Sequence, residues 1–268
     1  MTSLFLRVHR FLFVRKRFYK LNRFLYRVSL RGIGVLNYET DAVSGESRFL
    51  TSLLQQRPKI VVLDVGANVG AYSNLVASLD ENAQIYAFEP HPRSFLQLRA
   101  AASNRYCAIN AGVGDQPGRL PLFDYASADG SQHASLYRAV IEDIHDSAAA
   151  ETFVDVLTID DFIRDQNIDS VGLLKIDTEG HEYNVLKGAS DAIRSGTIQV
   201  IHFEFNEMNV ISRVFMKDFM DLLGNYRLYR MFPDGLAELG RYNAATWEVF
   251  AYQNIVAVHF SSNFDASA

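Results

Sequence analysis

A short glycine-containing turn carries the clearest chemical signal in the sequence. Residues Asp64 to Gly70 read DVGANVG and follow an apolar run, Lys59 to Val65, whose composition is typical of a buried parallel strand. Glycines in such a turn let the backbone bend tightly and let a ligand approach the main chain. An ordinary strand-to-helix turn is the alternative. The pattern favours a ligand site at the carboxyl end of a strand.

The same turn discriminates between two nucleotide ligands. A dinucleotide fingerprint needs three glycines, and this chain has Asn68 at the second position and Ala71 at the third. A pyrophosphate would need the second glycine for close contact, so NAD fits poorly. The Asp64 carboxylate suits a ligand with an ammonium group, with which it can pair directly or through water. Adenosylmethionine carries such a group on its amino-acid end, so the turn favours adenosylmethionine.

Glu89 stands at the predicted end of the second strand, in the sequence AFEP. An acid at this position can accept hydrogen bonds from both hydroxyls of a ribose. The contact is common to NAD sites and adenosylmethionine sites, so alone it does not separate them. Together with Asp64 and the incomplete dinucleotide fingerprint, it favours adenosylmethionine.

Two further groups of polar residues follow apolar strands and are candidates for the chemical step. They read KIDTEGHE over 175–182 and HFEFNE over 202–207. We interpret His181 or Asp177 as a general base that takes the proton from an acceptor hydroxyl. We interpret Glu204 as the residue that orients this base or the acceptor.

Structural roles are the alternatives for these residues. Thr178 or Asp177 can cap the following helix at its N-terminus. By strand alternation His202, Glu204 and Asn206 share one face, and the last two can reach the acceptor. His202 lies deeper in the strand, so we expect it to be a core histidine.

A divalent cation at the same place is a further alternative. Three carboxylates and one histidine could gather around Mg²⁺ or Mn²⁺, namely Asp177, Glu179, His181 and Glu204. Of these, Asp177 and Glu204 are the first candidates. Cys107 is the single cysteine, which excludes a cysteine-based zinc site and an intrachain disulfide. We expect chemistry without a metal to be favoured.

The elements that must position these residues alternate between strand and helix. This alternation predicts a doubly wound, mostly parallel α/β sheet whose last two strands form an antiparallel pair. The predicted strands are 59–65, 84–88, 106–111, 171–176, 198–205, 226–231 and 254–259. The predicted helices after the N-terminal segment are 44–54, 71–79, 92–102, 181–188 and 212–223.

The stretch 124–151 fits this alternation least. It is polar and rich in Ala, Ser and Asp, with a short island at Ser135-Leu136-Tyr137. A segment of this length without clear strand character is more often functional than a plain connection. We therefore predict a lid or a substrate-binding insertion within a domain that spans residues 32–268.

Residues 1–31, which we call the arm, differ from the rest of the chain in charge. The arm has nine Lys or Arg residues and no acid, whereas the remainder, which we call the body, has a net charge of −14. An acidic body argues against a nucleic-acid partner. Apolar residues of the arm recur at the spacing of one helical face, namely Leu4, Val8, Phe11, Phe18, Leu21, Leu25 and Val28.

Three roles for the arm stay open at this point. A basic amphipathic helix can lie on an anionic membrane or dock on a partner protein, it can pack on the body, or it can be a targeting segment. No apolar run approaches the roughly 20 residues that span a bilayer. The sequence also lacks the pattern of a secretory signal. We expect a cytoplasmic protein, with peripheral contact at the inner face of the membrane as an option.

Taken together, the motifs resemble the FkbM family of methyltransferases over residues 30–260. The resemblance rests on DVGANVGAYS (64–73), FEPHP (88–92), AGVGD (111–115), TIDDF (158–162), LLKIDTEGHE (173–182) and HFEFN (202–206). It implies a class I, Rossmann-like methyltransferase fold with a seven-stranded sheet. It also implies methyl transfer from S-adenosylmethionine to a hydroxyl oxygen of a sugar, glycan, polyketide or related small acceptor, with a cell-surface sugar favoured. The cofactor-binding residues that it implies are Asp64, Gly66, Ala67, Asn68, Gly70, Tyr72, Glu89 and Asp115.

Two other classes of function are weaker alternatives. An NAD-dependent oxidoreductase or epimerase acting on sugars is disfavoured by Asn68. A membrane-docked scaffold without catalysis is disfavoured because Asp64, Gly66, Gly70 and Glu89 are all present.

Overall fold

An eight-stranded sheet forms the centre of the molecule, seen here in a computed structural model that describes residues 2–127, 130–131 and 133–266. The strands, in chain order, are β1 (Val61–Val65), β2 (Gln84–Phe88), β3 (Cys107–Ile109), β4 (Gly112–Val113), β5 (Gly118–Tyr125), β6 (Ala149–Leu157), β7 (Leu173–Ile176), β8 (Val200–Phe205), β9 (Tyr226–Phe232), β10 (Gly235–Glu238) and β11 (Gln253–His259).

The order of strands across the sheet is β10-β9-β11-β8-β7-β1-β2-β3. The five strands from β8 to β3 are parallel, whereas β11 runs antiparallel to both β8 and β9. The expected class I fold, a mostly parallel sheet with antiparallel strands at one end, is confirmed. The hairpin strand β10 adds an eighth strand to the seven that we expected.

Helices cover both faces of this sheet. They are α1 (Thr2–Phe13), α2 (Tyr19–Gly32), α3 (Asp41–Ser44), α4 (Glu46–Gln56), α5 (Ala71–Leu79), α6 (Pro92–Ala102), α7 (Ile159–Asp165), α8 (Glu182–Lys187), α9 (Ser190–Ser195), α10 (Met208–Ser212), α11 (Met216–Leu222) and α12 (Ala244–Trp247). Neighbouring residues of β1 point to opposite faces, so Val62 packs in the layer with α4 and α5, and Leu63 packs in the layer with α8 and α11. Burial on both faces explains the continuous apolar runs of these strands.

The functional end of the sheet is set by the strand order. The chain leaves β1 towards β2 and β3 on one side, and β7 and β8 lie on the other side. Connections therefore diverge at the carboxyl ends of β1 and β7 and open a crevice between them, which is where open α/β sheets bind ligands.

A second, three-stranded sheet in the order β4-β6-β5 was not predicted from the sequence. β5 and β6 pair antiparallel from Gly118 with Val156 to Tyr125 with Ala149. Pro121 lies inside β5, where a proline argues against a central strand, and β5 is in fact the edge strand of this sheet. The polar stretch 124–151 therefore begins in β5 and ends in β6, and the loop between these strands contains a π-helical turn at Val140–Ile144.

The arm is two helices and not the single helix that its apolar spacing predicted. α1 ends at Phe13, a 3-10 turn spans Lys16–Phe18, and α2 follows. The Asn22 side chain donates a hydrogen bond to the carbonyl of Phe13 (3.1 Å), and the rings of Phe13 and Phe18 pack across the break at 5.4 Å. The Asn22 bond gives a partner to one of the carbonyls that the end of α1 leaves without an intrahelical partner.

No helix in the described part of the chain is both long enough and apolar enough to cross a membrane.

Candidate functional site

A cleft of about 730 Å³ opens at the carboxyl ends of β1, β2, β7 and β8. The sequence-predicted residues that line it are Asp64, Gly66, Ala67, Asn68, Tyr72, Glu89, Asp177, His181 and Glu204. Gly70 and Asp115 are not among the described residues that line it. Residues predicted to bind the cofactor and residues predicted to take part in the chemical step therefore line one cavity.

The β1–α5 turn has the backbone geometry that its glycines allow. Gly66 has φ of +82° and Gly70 has φ of +91°, a left-handed region in which a side chain is strained. A Cβ on Gly66 would collide with the carbonyl oxygen of Asp177, and a Cβ on Gly70 would collide with the Tyr106 hydroxyl. Gly66 therefore lets the main chain of β1 approach the end of β7. Gly70 lets the Tyr106 side chain pack against the turn.

The two acids predicted to hold the cofactor lie on adjacent strands and are buried. Asp64 accepts a hydrogen bond from the Ser73 hydroxyl at 2.6 Å. Glu89 accepts from the backbone amides of Asn68 (2.9 Å) and His91 (2.7 Å). Burial raises the pKa of Glu89 to about 7 and also raises the pKa of Asp64. Both acids keep free lone pairs at the cleft, so they can accept further hydrogen bonds from a ligand.

Lys175 is one of the residues of the site that sequence reasoning missed. Its ammonium group is buried in β7, lies 3.1 Å from Oδ2 of Asp177 and sits over the ring of Tyr72 at 5.2 Å. Burial alone would favour the neutral amine, but Asp177, Glu46 and other carboxylates around it raise the pKa of Lys175 above its usual value. The signal was a lysine within the apolar run LLKI, which has no reason to be buried without partners.

Carboxylates surround this ammonium group at the cleft. Asp177 follows β7 and keeps about a third of its side chain exposed. Glu204 lies in β8 and accepts a hydrogen bond from the Asn206 side chain at 3.3 Å. Burial, followed by the repulsion of Asp177, raises the pKa of Glu204 well above its usual value. Glu46, at the start of α4, has a pKa raised to about 7 by burial.

A single buried acid holds the turn between β7 and α8. Oε1 of Glu182 accepts hydrogen bonds from the backbone amides of Thr178 (2.9 Å) and Gly180 (3.0 Å) and from the Thr178 hydroxyl (3.1 Å). Helix α8 begins after His181, which makes no side-chain cap. The alternative in which Thr178 or Asp177 caps this helix is therefore wrong.

His181 lies beside the cleft but its ring is largely enclosed. Nδ1 is 3.1 Å from the Tyr137 hydroxyl and 3.1 Å from the Asn184 amide. Nε2 faces Gly114, where an added Cβ would lie 3.1 Å from it. Burial lowers the pKa of His181 to about 4, so the ring is neutral at physiological pH. His202, in contrast, is fully buried against Tyr72, as expected of a core histidine.

Two of the four residues considered as metal ligands, Asp177 and His181, have other partners in the structure. The Lys175 ammonium occupies the position beside Asp177, and the His181 ring is turned to Tyr137 and Asn184. Within the described ranges, no group of three or more His, Cys, Asp or Glu side chains is arranged to hold a metal ion.

Asp115 is located apart from the other predicted cofactor residues. It forms a half-exposed ion pair with Lys187 of α8 at 2.6 Å. Because Lys187 is the last residue of α8, this ion pair links α8 to the loop after β4.

The loop between β5 and β6 lies along the cleft. His133 Nδ1 is 3.1 Å from Glu179 Oε1, and the Ser135 hydroxyl donates to the Glu179 carbonyl at 2.7 Å. Asp124, at the end of β5, accepts a hydrogen bond from the Ser131 amide at 2.9 Å. Ser131 and His133 also line the cleft, so this loop forms part of its wall.

The order of strands in the main sheet and the glycine turn after β1 are those of a class I methyltransferase fold. Residues 64–231, more than half of the chain, match the methyltransferase FkbM domain. The chain therefore belongs to the FkbM methyltransferase family.

Several characterised proteins are similar to this chain. The 2-O-methyltransferase NoeI of Sinorhizobium fredii is 25% identical over 206 residues, which cover 70% of this chain and 81% of NoeI. The 31-O-demethyl-FK506 methyltransferase FkbM of Streptomyces tacrolimicus is 30% identical over 54% of this chain and 65% of its own length. The hexuronic acid methyltransferase AglP of Haloferax volcanii is 24% identical over 59% of this chain and 62% of its own length. Thus the chain spans less than two thirds of the last two proteins.

Among solved structures, a methyltransferase FkbM from Methylobacillus flagellatus aligns with a TM-score of 0.45 and 15% identity, over 74% of this chain and 43% of that chain.

Proposed function

We propose that this protein transfers the methyl group of S-adenosylmethionine to a hydroxyl oxygen of a sugar, a glycan or a related small acceptor. The observation that carries the proposal is that Asp64, Glu89, Asp177 and Glu204 all line the same cleft. The similar proteins NoeI and AglP are named for methylation at a 2-O position and on hexuronic acid, which supports an oxygen of a sugar-like acceptor.

The residues around the β1–α5 turn fit the cofactor. Asp64 can pair with the ammonium group of its amino-acid end, and Glu89 can accept from the ribose hydroxyls. Because Gly66 has no side chain, the ends of β1 and β7 pack directly against each other beside the turn, and the turn residues Gly66, Ala67 and Asn68 line the cleft. When bound, adenosylmethionine supplies an electrophilic methyl group on its sulfonium.

Asp177 is the base that we propose for the acceptor hydroxyl. Its carboxylate is partly exposed at the cleft and is held at 3.1 Å by Lys175, so it is oriented before the acceptor arrives. His181 is the weaker candidate because its ring is enclosed by Tyr137, Asn184 and Gly114. Glu204 is the residue that we propose to orient the acceptor, because it lines the cleft from β8, the strand next to β7.

Positioning is the larger contribution expected for this reaction. Holding donor and acceptor in near-attack geometry can remove about 7–11 kcal/mol of the barrier, whereas a placed base adds roughly 10²–10⁴-fold. The walls of the cleft, including the loop residues Ser131 and His133, serve the first of these effects.

Calorimetric titration tests the cofactor assignment. We expect adenosylmethionine and adenosylhomocysteine, but not NAD, to bind the wild-type protein at pH 8. Glu89→Gln should weaken binding by roughly 10- to 100-fold, because it removes a charged acceptor from the ribose hydroxyls. The exposed Glu81→Gln is the matched control and should bind as the wild type does.

If neither adenosyl ligand binds a folded sample, the proposal is refuted. The alternative of a membrane-docked scaffold without catalysis would then be favoured. Binding of NAD alone would favour the oxidoreductase or epimerase. Once cofactor binding is established, transfer of a labelled methyl group to a panel of sugars tests the acceptor, and a label on nitrogen or sulfur would contradict O-methylation.

We also propose that the protein works in the cytoplasm, at the inner face of the membrane. The support is the single cysteine, which fits a reducing compartment, and the strongly basic arm, which fits an anionic leaflet.

A further inference from the structure

We propose that the arm docks on the surface of an anionic lipid bilayer and thereby holds the mouth of the cleft against that bilayer. This contact rests on the proposed location at the membrane and adds the docking residues, the lipid charge and the orientation of the protein.

Charge complementarity identifies the lipid. The arm has nine basic residues and no acid, whereas the body has a net charge of −14. Each Lys or Arg near an anionic leaflet contributes about 1 kcal/mol to binding. The acidic body is repelled by the same leaflet, so attraction is confined to the arm and the two charges together favour one orientation.

The apolar side chains of the arm are exposed to solvent, which leaves them available for insertion between lipid headgroups. Phe11 is 70% exposed, Phe24 is 62% exposed and Tyr26 is 58% exposed. Among the arm residues whose side chains the structure describes, Leu30 alone is buried. An arm that packed on the body would bury this face. Aromatic residues interleaved with Arg and Lys on a short amphipathic helix are typical of an interfacial segment.

The junction between arm and body fixes the position of the cleft. The guanidinium of Arg230, in β9, donates to the carbonyl of Ile33 at 3.2 Å, and the amide of Leu36 donates to the carbonyl of Tyr252 at 2.8 Å. Leu36 and Tyr38 line the cleft, and the Tyr38 ring packs edge-on against Tyr252 at 5.8 Å. The chain that leaves α2 therefore becomes the rim of the cleft within a few residues, so the surface that holds the arm also lies at the rim.

Flotation with lipid vesicles tests the docking. The probes are vesicles of phosphatidylcholine alone and of an equimolar mixture of phosphatidylcholine and phosphatidylglycerol. We expect the full-length protein to float with the mixed vesicles only, and less so at high salt. Reversing three exposed charges at the break of the arm (Arg15→Glu, Lys16→Glu, Arg17→Glu) should weaken binding by roughly 100-fold or more. The matched control reverses three exposed charges on the body (Arg99→Glu, Arg194→Glu, Arg241→Glu) and should bind as the wild type does.

Fluorescence quenching by nitroxide-bearing lipids tests the orientation. A fluorophore on the natural Cys107, which is exposed in the edge strand β3, reports the far side of the sheet. A second sample carries the fluorophore at the rim, through Tyr38→Cys in a Cys107→Ser background. We expect quenching of the rim label and not of the label on Cys107.

Equal vesicle binding by the wild type and the arm variant, or no binding by either, would overturn the docking. Vesicle binding with quenching at Cys107 and not at the rim would overturn the orientation. Binding of adenosylmethionine, measured in the same samples without lipid, separates these outcomes from a failure of the proposed enzymatic function, because the arm variant should keep the wild-type affinity for the cofactor.

Discussion

Lys175 carries a charge in the interior of the sheet, and its surroundings explain how that charge is kept. Isolated burial of an ammonium group is strongly unfavourable, but Asp177, Glu46, Asp64 and Glu204 all attract it. The stabilisation is mutual, because the positive charge of the ammonium group also reduces the repulsion between the carboxylates that lie close together at the cleft. A fixed internal cation therefore lies where an acceptor hydroxyl and its base would meet.

At the scale of single residues, Asp177→Asn should lower kcat by roughly 10²–10⁴-fold, because an amide cannot take the proton from the acceptor. His181→Gln should retain most of the turnover. The measurement is methyl transfer with saturating adenosylmethionine, together with the affinity of each variant for the cofactor.

An unchanged cofactor affinity in Asp177→Asn is required, since it separates loss of the base from loss of the site. The opposite ranking, in which His181→Gln is the inactive variant, would assign the base to His181 instead.

The sequence predicted the site residues that stand at the ends of strands but not those that reach it from elsewhere. Asp64 and Glu204 lie near the carboxyl ends of β1 and β8, and Glu89 and Asp177 directly follow β2 and β7. Their place at one sheet edge therefore follows from parallel pairing. Glu46 reaches the cleft only because α4 packs on the sheet, and that packing is not visible in local sequence. The protonation state of His181 could not be predicted either, because its pKa is lowered by burial to which Tyr137, in the loop between β5 and β6, contributes.

At the scale of elements, the turn between β7 and α8 depends on the ionisation of Glu182. This carboxyl is buried, and burial raises its pKa from 4.5 to about 7, so the folded state binds a proton that the unfolded state releases within that range. The proton stabilises the folded state at the lower end of the range, and this contribution is lost as pH rises through 7. A shift of this size corresponds to about 3 kcal/mol.

We therefore expect the free energy of unfolding of Glu182→Gln to fall less steeply than that of the wild type between pH 4.5 and about 7. Chemical denaturation across this pH range measures the difference. The exposed Glu81→Gln is the control and should keep the wild-type slope. A Glu182→Gln slope equal to that of the wild type would show that Glu182 does not titrate in this window.

Sequence patterns predicted the elements of the main sheet more closely than those around it. The strand 84–88 and the helices 71–79 and 92–102 have the bounds that we expected. Their limits are marked locally, by glycine, proline and the switch from apolar to polar residues. The β5–β6 hairpin was missed because Pro121 interrupts its strand pattern. The break in the arm was missed because the apolar spacing continues across it, from Phe11 to Phe18 and Leu21.

At the scale of the whole molecule, removal of residues 1–28 should leave the body folded. The truncation keeps Leu30, the buried residue of α2, and removes side chains that are mostly exposed. We expect the midpoint of thermal unfolding to change by less than about 4 °C. Differential scanning calorimetry measures it, and a much larger decrease would show that the arm belongs to the body.

The antiparallel stem formed by β5 and β6 has a consequence for the diversification of this enzyme. Because eight pairs of residues clamp the two ends of the intervening loop, the distance between those ends is independent of what the loop contains. Doubling the length of a flexible loop costs only about 0.6 kcal/mol in closure entropy. The sequence and length of this loop can thus change without a change in β1 and β2, which carry the proposed cofactor residues. Related enzymes could therefore acquire new acceptors through substitutions in the loop alone.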